Sequence, residues 1–283
     1  MNLLTCAQAL AAARTAGLER LDAQLLLLHA LGKPFGDRAW LLAHDTDELA
    51  KEVAEAFGVS MQRRASGEPL AYIVGSKEFF GLALQVDARV LVPRPDTETL
   101  VEWSLDVLLT PAMPPAPEVL DLGTGSGAIA LAIAHSQQAV DRKARVLAVD
   151  ASADALDVAR ENAQSLGLDV EFLESCWLEK VNSSFHLIAS NPPYIASADP
   201  HLAALVHEPL QALAAGADGL DDIRQIIEHA PSHLLPGGWL LLEHGYDQAD
   251  LVRELLVQRG FLQVQSRHDL AGIERCSGGQ WPQ

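Results

Sequence analysis

Asn191-Pro192-Pro193-Tyr194 follows directly on the apolar run Phe185–Ser190. Two consecutive prolines fix φ and remove two backbone donors, which leaves the carbonyls of Asn191 and Pro192 as acceptors. A residue before proline is held extended, so those acceptors point in fixed directions. The Asn191 side-chain oxygen adds a further acceptor, and Tyr194 supplies a flat apolar wall. Such a group suits a planar –NH2, as in a primary amide or an exocyclic amine. An amide nitrogen is a poor nucleophile because its lone pair is delocalised into the carbonyl. Acceptors that hold both hydrogens orient it and stabilise the positive charge that develops when a methyl donor approaches. A sulfonium donor carries its own leaving group, so this chemistry asks for no metal, no nucleophilic side chain and no strong general base.

A second group lies upstream. Asp121-Leu122-Gly123-Thr124-Gly125-Ser126-Gly127-Ala128 stands where an apolar strand meets a helix. Glycines there permit positive φ and let backbone approach a ligand at the carboxyl end of the strand. Asp150 ends the next strand, 27 positions after Gly123. A carboxylate at that place accepts the ribose hydroxyls of an adenosine moiety. Its structural alternative is a helix cap, but Ser152 caps equally well and leaves Asp150 free. Gly123, Gly125 and Ala128 also fit a dinucleotide fingerprint, so the loop and Asp150 alone suit NAD as well as S-adenosylmethionine.

These groups need a scaffold. From Val119 onward, short apolar strands alternate with helical stretches: Val119–Leu122, a helix from about Ser126, Arg145–Asp150, a helix from about Ala153, Phe185–Ser190 and Trp239–Glu243. That texture predicts an α/β fold with a parallel, doubly wound sheet. Thr110–Pro117, with four prolines in eight residues, is a connector. Upstream, Tyr72-Ile73-Val74 and Leu82–Val86 read as strands around a turn at Gly81, followed by a helix over Asp96–Leu109. Residues before Ala65 read as helices only, with Leu18, Leu21, Leu25 and Leu28 at helical spacing and a second pattern over Asp45–Ala65.

The composition narrows the classes. The chain has 283 residues, 49% hydrophobic and 20% charged, which excludes disorder by low hydrophobicity. Lys+Arg 20 against Asp+Glu 38 gives 20 − 38 = −18, so the chain as a whole lacks the basic footprint of a nucleic-acid binder. Cys6, Cys176 and Cys276 lie far apart, without zinc spacing or a disulfide framework, and read as reduced thiols. Met1-Asn2-Leu3-Leu4 has no basic n-region, and the apolar run Leu25–Leu28 is far too short to span a bilayer. A cytoplasmic protein with no membrane contact, no bound metal and no direct nucleic-acid partner is expected.

The whole constellation resembles class I S-adenosylmethionine-dependent methyltransferases. Within them, Pro69–Gly75, Glu78–Leu82, Val90-Leu91-Val92-Pro93-Arg94-Pro95-Asp96-Thr97-Glu98, Glu208-Pro209, Gly216–Leu220 and Glu243-His244-Gly245 are similar to the HemK/PrmC family of release factor glutamine methyltransferases. The resemblance implies a Rossmann-like domain with a mostly parallel seven-stranded sheet over residues 91–283, a β-hairpin linker over 69–90 and a helical substrate-docking domain over 1–68. It implies S-adenosylmethionine as cofactor, S-adenosylhomocysteine as product and class I peptide chain release factors as protein partners of a monomer. Carried over by position, Gly123, Thr124, Gly125, Ser126 and Gly127 would contact the methionine part, Asp150 the ribose and Trp177 the adenine. Asn191, Pro192, Pro193 and Tyr194 would grip the target glutamine, with Asn191, Pro192 and Tyr194 catalytic and Asn191 also beside the cofactor.

Cys176 departs from the acidic residue usual before that tryptophan, and Trp177 alternatively reads as a core aromatic. Gly278-Gly279-Gln280 spells the tripeptide implied as substrate and reads as a frayed tail. Three other activities compete. They are a glutamine methyltransferase of a large-subunit ribosomal protein, an adenine amino methyltransferase on a flipped base, and a NAD-dependent oxidoreductase, which leaves Asn191–Tyr194 without a role. Arg94-Pro95-Asp96-Thr97-Glu98 is similar to the release-factor branch, and an acidic surface suits a partner bearing basic patches.

Overall fold

A computed structural model describes residues 4–140 and 143–282, so Met1, Asn2 and Leu3 of the amino-terminal segment read above lie outside the described residues. The chain divides into two compact units, residues 1–76 and 77–283.

The first unit is helical. Thr5 opens α1 (Cys6–Thr15) with a capping box, its hydroxyl accepting from the Gln8 amide while the Gln8 side chain accepts from the Thr5 amide. Leu26, Leu27 and Leu28 of α2 (Arg20–Ala30) are wholly buried in one cluster with Ala9 and Ala13 of α1, Leu41 of α3 (Arg38–Ala43) and Phe57 of α4 (Lys51–Ala65). Arg64 of α4 pairs with Asp22 of α2 at 2.6 Å. The fourth helix runs unbroken through Gly58 and starts at Lys51, because residues 45–50 form a turn in which Glu48 bridges to Thr5.

One strand expectation is corrected here. Tyr72-Ile73-Val74 is not extended; it lies in a short helix, α5 (Leu70–Val74). Pro69 enters with φ −54°, preset for a helical start, and Gly75 ends the turn at φ +74°. Ala71, Tyr72 and Ile73 are buried consecutively, so tertiary burial outweighs the strand preference of their side chains. The hairpin instead joins β1 (Ser76–Phe79) to β2 (Leu82–Gln85), with Phe80 and Gly81 both at positive φ as a two-residue turn requires.

In the second unit a 3-10 turn at Pro95–Thr97 leads into α6 (Glu98–Leu108). Then follow β3 (Glu118–Leu122), α7 (Ala128–Ala139), β4 (Arg145–Asp150), α8 (Ala153–Leu166), β5 (Glu171–Glu174), β6 (Phe185–Ser190), α9 (Asp221–His229), β7 (Leu234–Glu243), α10 (Ala249–Arg259), β8 (Leu262–His268) and β9 (Glu274–Gln280). The strands form one sheet of seven in the order β5-β4-β3-β6-β7-β9-β8. The first five are parallel, and β9 runs antiparallel to both of its neighbours. This is the mostly parallel, doubly wound α/β sheet that the sequence predicts. Side chains alternate across it: Val119, Leu187, Ala189 and Leu241 face the cluster of α6 and α7, whereas Leu120, Leu122, Ile188 and Leu240 face that of α9 and α10. The chain moves outward from β3 to β5 and returns to β6, so a crevice opens at the carboxyl ends of β3 and β6, the topological switch point.

The carboxyl-terminal expectation is also corrected. Gly278-Gly279-Gln280 is not frayed; it ends β9, inserted between β7 and β8. The missing side chains are what allow this. A Cβ on Gly278 would lie 2.5 Å from Leu241 Cδ2 and 2.6 Å from the Leu240 carbonyl oxygen. The variant Gly278→Ala should therefore lose about 2–3 kcal/mol of stability by overpacking, read as a lower urea midpoint at unchanged slope.

Candidate active site

The crevice holds a cavity of about 240 Å³ at the strand ends. Its floor is the loop after β3. The amides of Gly123 and Thr124 donate to the Val149 carbonyl at 2.8 and 2.9 Å, which stitches that loop to β4. Gly125 sits at φ +54° with its amide 2.9 Å from Asp150 Oδ2, and a Cβ there would meet nothing within 4 Å. The loop therefore presents bare backbone to the cavity. Gly123 and Gly125 line it, whereas the other three residues hold the loop from behind. Thr124 donates its hydroxyl to Asp121 Oδ2 at 2.6 Å, the Ser126 carbonyl accepts from Asn162 at 2.9 Å, and the Gly127 amide donates to Thr124.

Asp150 lines the same cavity. Its Oδ1 accepts from the Ser152 amide at 2.9 Å. Ser152 itself caps α8 through Ala155, so Asp150 is not the cap. Backbone amides donate to both carboxylate oxygens, each of which has two lone pairs and so keeps capacity for a further donor. Burial pushes the Asp150 carboxyl above its usual range, against the pull of the Ser152, Gly125 and Ala151 amides. Beneath the loop Asp121 is wholly buried and pushed up to about 7 by desolvation, its Oδ1 without a partner among the described residues.

Trp177 stands across the loop. Its ring lies 3.3 Å from where a Gly123 Cβ would be, and its Nε1 donates to Asp222 Oδ1 at 3.1 Å. The backbone there sits at φ +45°, a conformation that costs about 1–3 kcal/mol in a non-glycine residue and concentrates at functional sites. Cys176 also lines the cavity, and burial, then Glu179 and Asp222, push its thiol up.

Asn191 and Pro193 form the wall after β6, with Pro192 buried behind them. Leu91, Asn191 and Ala212 also line a second cavity of about 250 Å³, which Arg94 and Tyr194 enclose further. Asn191 thus stands at the junction of the two. Its Nδ2 donates to Thr97 Oγ1 at 3.1 Å. Among the described residues, neither the Asn191 nor the Pro192 carbonyl accepts a backbone hydrogen bond.

Tyr194 is fixed at both ends. Its hydroxyl donates to Glu243 Oε1 at 3.3 Å, and its carbonyl accepts from Gln248 Nε2 at 3.1 Å. Burial, reinforced by Glu243, holds that hydroxyl well above the usual tyrosine range. Gly219 packs so closely that a Cβ would lie 2.2 Å from the Tyr194 carbonyl oxygen, which explains a glycine in Gly216–Leu220. Arg94 Nη2 donates to Glu208 Oε1 at 2.5 Å, and the Val92 amide donates to Glu208 Oε2. The two short motifs Pro93-Arg94-Pro95 and Glu208-Pro209 are therefore halves of one ion pair at the mouth of the second cavity.

Thr97, Glu208 and Glu243 enter the sequence reading only inside the family motifs, and Asp222 and Gln248 not at all, because the site partners Trp177–Asp222 and Val92–Glu208 lie 45 and 116 residues apart.

Comparison with known proteins bears on these residues as a set. The family description PrmC N-terminal domain matches residues 2–75, and Methyltransferase small domain matches residues 105–218. A release factor glutamine methyltransferase of Bordetella pertussis is 49% identical over 267 residues, covering 93% of this chain and 95% of that one. One from Xylella fastidiosa is 48% identical over 278 residues, 97% of this chain and 98% of that one. The chain belongs to the release factor glutamine methyltransferase family. It is accordingly a methyltransferase.

Solved structures agree on the fold. A methyltransferase from Pyrococcus furiosus superposes with a TM-score of 0.52 at 19% identity, over 72% of this chain and 91% of that one. A 16S rRNA methyltransferase from T. thermophilus, in complex with AdoMet and guanosine, gives 0.53 at 19%, over 73% and 49%. Among the described residues, no helix is long and apolar enough to cross a membrane.

Proposed function

We propose that the protein methylates the side-chain amide nitrogen of the glutamine in the Gly-Gly-Gln loop of class I release factors, in the cytoplasm, using S-adenosylmethionine. The observation that carries this reading is Asn191, whose side chain borders two adjoining cavities, one floored by Gly125 and Asp150, the other walled by Tyr194 and Arg94. The first fits the cofactor: bare backbone at Gly125, a carboxylate with spare acceptor capacity and a flat aromatic ring. When bound, S-adenosylmethionine supplies a methyl group activated by a sulfonium.

The chain's own residues do the rest. Asp150 accepts the ribose hydroxyls, and Trp177 lies flat against the adenine. The bare backbone at Gly123 and Gly125 faces the methionine part, and Thr124, Ser126 and Gly127 hold that loop in place. The Asn191 oxygen and the Pro192 carbonyl accept the two hydrogens of the target amide, which orients its nitrogen and stabilises charge growing there. Tyr194 walls the flat group in, held by Glu243 and Gln248. Residues 1–68 dock the release factor, with 69–90 as linker to the catalytic domain at 91–283.

The test is incubation with labelled cofactor and four acceptors: a release factor, its Gly-Gly-Ala variant, the large-subunit ribosomal protein and a DNA duplex. Label should enter the first alone. Equal labelling of the Gly-Gly-Ala variant would refute the glutamine assignment, and calorimetry showing NAD but no S-adenosylmethionine binding would refute the cofactor.

A further inference from the structure

Behind the first cavity stands a side chain that does not line it. Asn162 of α8 is 1% exposed. Its Oδ1 accepts from the Gln85 amide at 2.7 Å, and its Nδ2 donates to the Gln85 carbonyl at 3.0 Å and to the Ser126 carbonyl at 2.9 Å. Backbone groups cannot exchange roles, so the direction of this amide is settled. A backbone N–H requires the oxygen on its side, and two carbonyls require the –NH2 on theirs. The oxygen and both hydrogens of the –NH2 are used, as a buried polar group demands.

These bonds reach two segments that line the same cavity. Ser126 belongs to the loop whose Gly123 and Gly125 form its floor, and Gln85 ends β2, closely followed by Arg89, Val90 and Leu91 in the lining. The stretch from Gln85 to that lining is stiff. Val86 is buried, the Arg89 amide donates to Asp87 Oδ1 at 2.9 Å, and the Val90 amide donates to the Asp87 carbonyl at 3.1 Å. A displacement of Gln85 is therefore carried to Arg89–Leu91. One turn before Asn162, α8 also meets the loop directly: a Cβ on Gly127 would lie 3.3 Å from Ala159 Cβ.

We infer that Asn162 is a positioning residue for the cofactor, tying the Gly123–Gly127 floor to the Arg89–Leu91 segment at the separation that receives S-adenosylmethionine. This rests on the reading that the first cavity takes the cofactor. It gives a reason for a wholly buried asparagine in an otherwise apolar helix face, since the site asks for one acceptor and two hydrogens on a short side chain.

Substitution at this place unties the two segments. An ionised aspartate has the same shape but no hydrogen, so it turns an oxygen toward both carbonyls. An alanine leaves all three backbone groups without this partner. In either case binding must first order what Asn162 held in place, and affinity falls with that lost preorganisation. The Asn191–Tyr194 turn is held by other residues, Thr97, Glu243 and Gln248. Transfer from cofactor already bound therefore depends on different ties.

The experiment compares Asn162→Asp and Asn162→Ala with the parent protein. Affinity for S-adenosylmethionine is measured by calorimetry, whose stoichiometry counts the folded molecules, and thermal unfolding is recorded alongside. Steady-state transfer to a release factor gives kcat and a KM for each substrate. Both variants should bind the cofactor about tenfold or more weakly than the parent, with its KM raised in step. The KM for the release factor should stay within about threefold, and kcat at saturating cofactor should fall far less than the affinity does. A residue that only stabilises the fold would lower the unfolding temperature and leave the folded molecules with parental cofactor affinity. That result overturns the inference, and so does a loss of transfer that saturating cofactor does not restore. Should Asn162→Asp not fold, Asn162→Ala decides the matter. A parent protein that itself binds no S-adenosylmethionine overturns the cofactor reading beneath, an outcome told apart from the others because it needs no variant.

Discussion

In Asn191→Ala, methyl transfer should fall by at least about a hundredfold while cofactor affinity stays within about tenfold. The substitution removes the side-chain oxygen at the junction of the two cavities and leaves the Gly123–Gly127 loop and Asp150 untouched. Losing one acceptor of a buried amine costs about 1–3 kcal/mol in the bound state and more where charge develops. The loss should therefore appear chiefly in kcat and only modestly in KM for the release factor. Single-turnover transfer of a labelled methyl group, alongside calorimetry with the cofactor, separates the two. An unchanged kcat would remove Asn191 from the chemistry.

Asp150→Ala should produce the opposite division. Its carboxylate receives the Gly125 and Ser152 amides as well as, on the proposed function, the ribose hydroxyls. Truncation leaves those amides without their acceptor and also loosens the loop that Gly125 belongs to. Cofactor affinity should weaken by about 10- to 100-fold, equivalent to roughly 1.4–2.8 kcal/mol. Transfer at saturating cofactor should change less than in Asn191→Ala. Asp150→Asn keeps an acceptor oxygen and should fall between the two. Calorimetric titration reads this directly, and parent-like affinity in Asp150→Ala would assign the ribose to another group.

How far the sequence disclosed this arrangement depends on the range of each interaction. The strand ends at Leu122, Asp150 and Ser190 are legible because parallel strands buried on both faces read as short apolar runs broken by glycine, acid or proline. The loop at Gly123–Gly127 and the turn at Asn191–Tyr194 are local, and their chemistry can be read from adjacent residues. Thr97 and Glu243 are different. Thr97 is met by Asn191 and Glu243 by Tyr194, and only the sheet order brings β7 beside β6. The same limit explains Tyr72–Val74, where a strand-like composition is folded as a helix by Pro69, Gly75 and consecutive burial. It also explains Gly278-Gly279-Gln280, since glycines near a chain end look like slack until the tight fit against Leu240 and Leu241 is seen.

That buried tripeptide bears on how the proposed enzyme tells its target from itself. Gln280 donates its amide to the Gly237 carbonyl at 2.8 Å and accepts from Gln263 at 2.6 Å. Through Trp239 it stands level with Leu187, four positions and about 13 Å along the sheet from Asn191. The letters Gly-Gly-Gln are thus present in the catalyst as well as in its proposed target. In the catalyst both edges of the segment are paired, and the glutamine nitrogen is held by the Gly237 carbonyl. On the proposed function, a glutamine held in this way is withheld from methylation for as long as that strand stays folded.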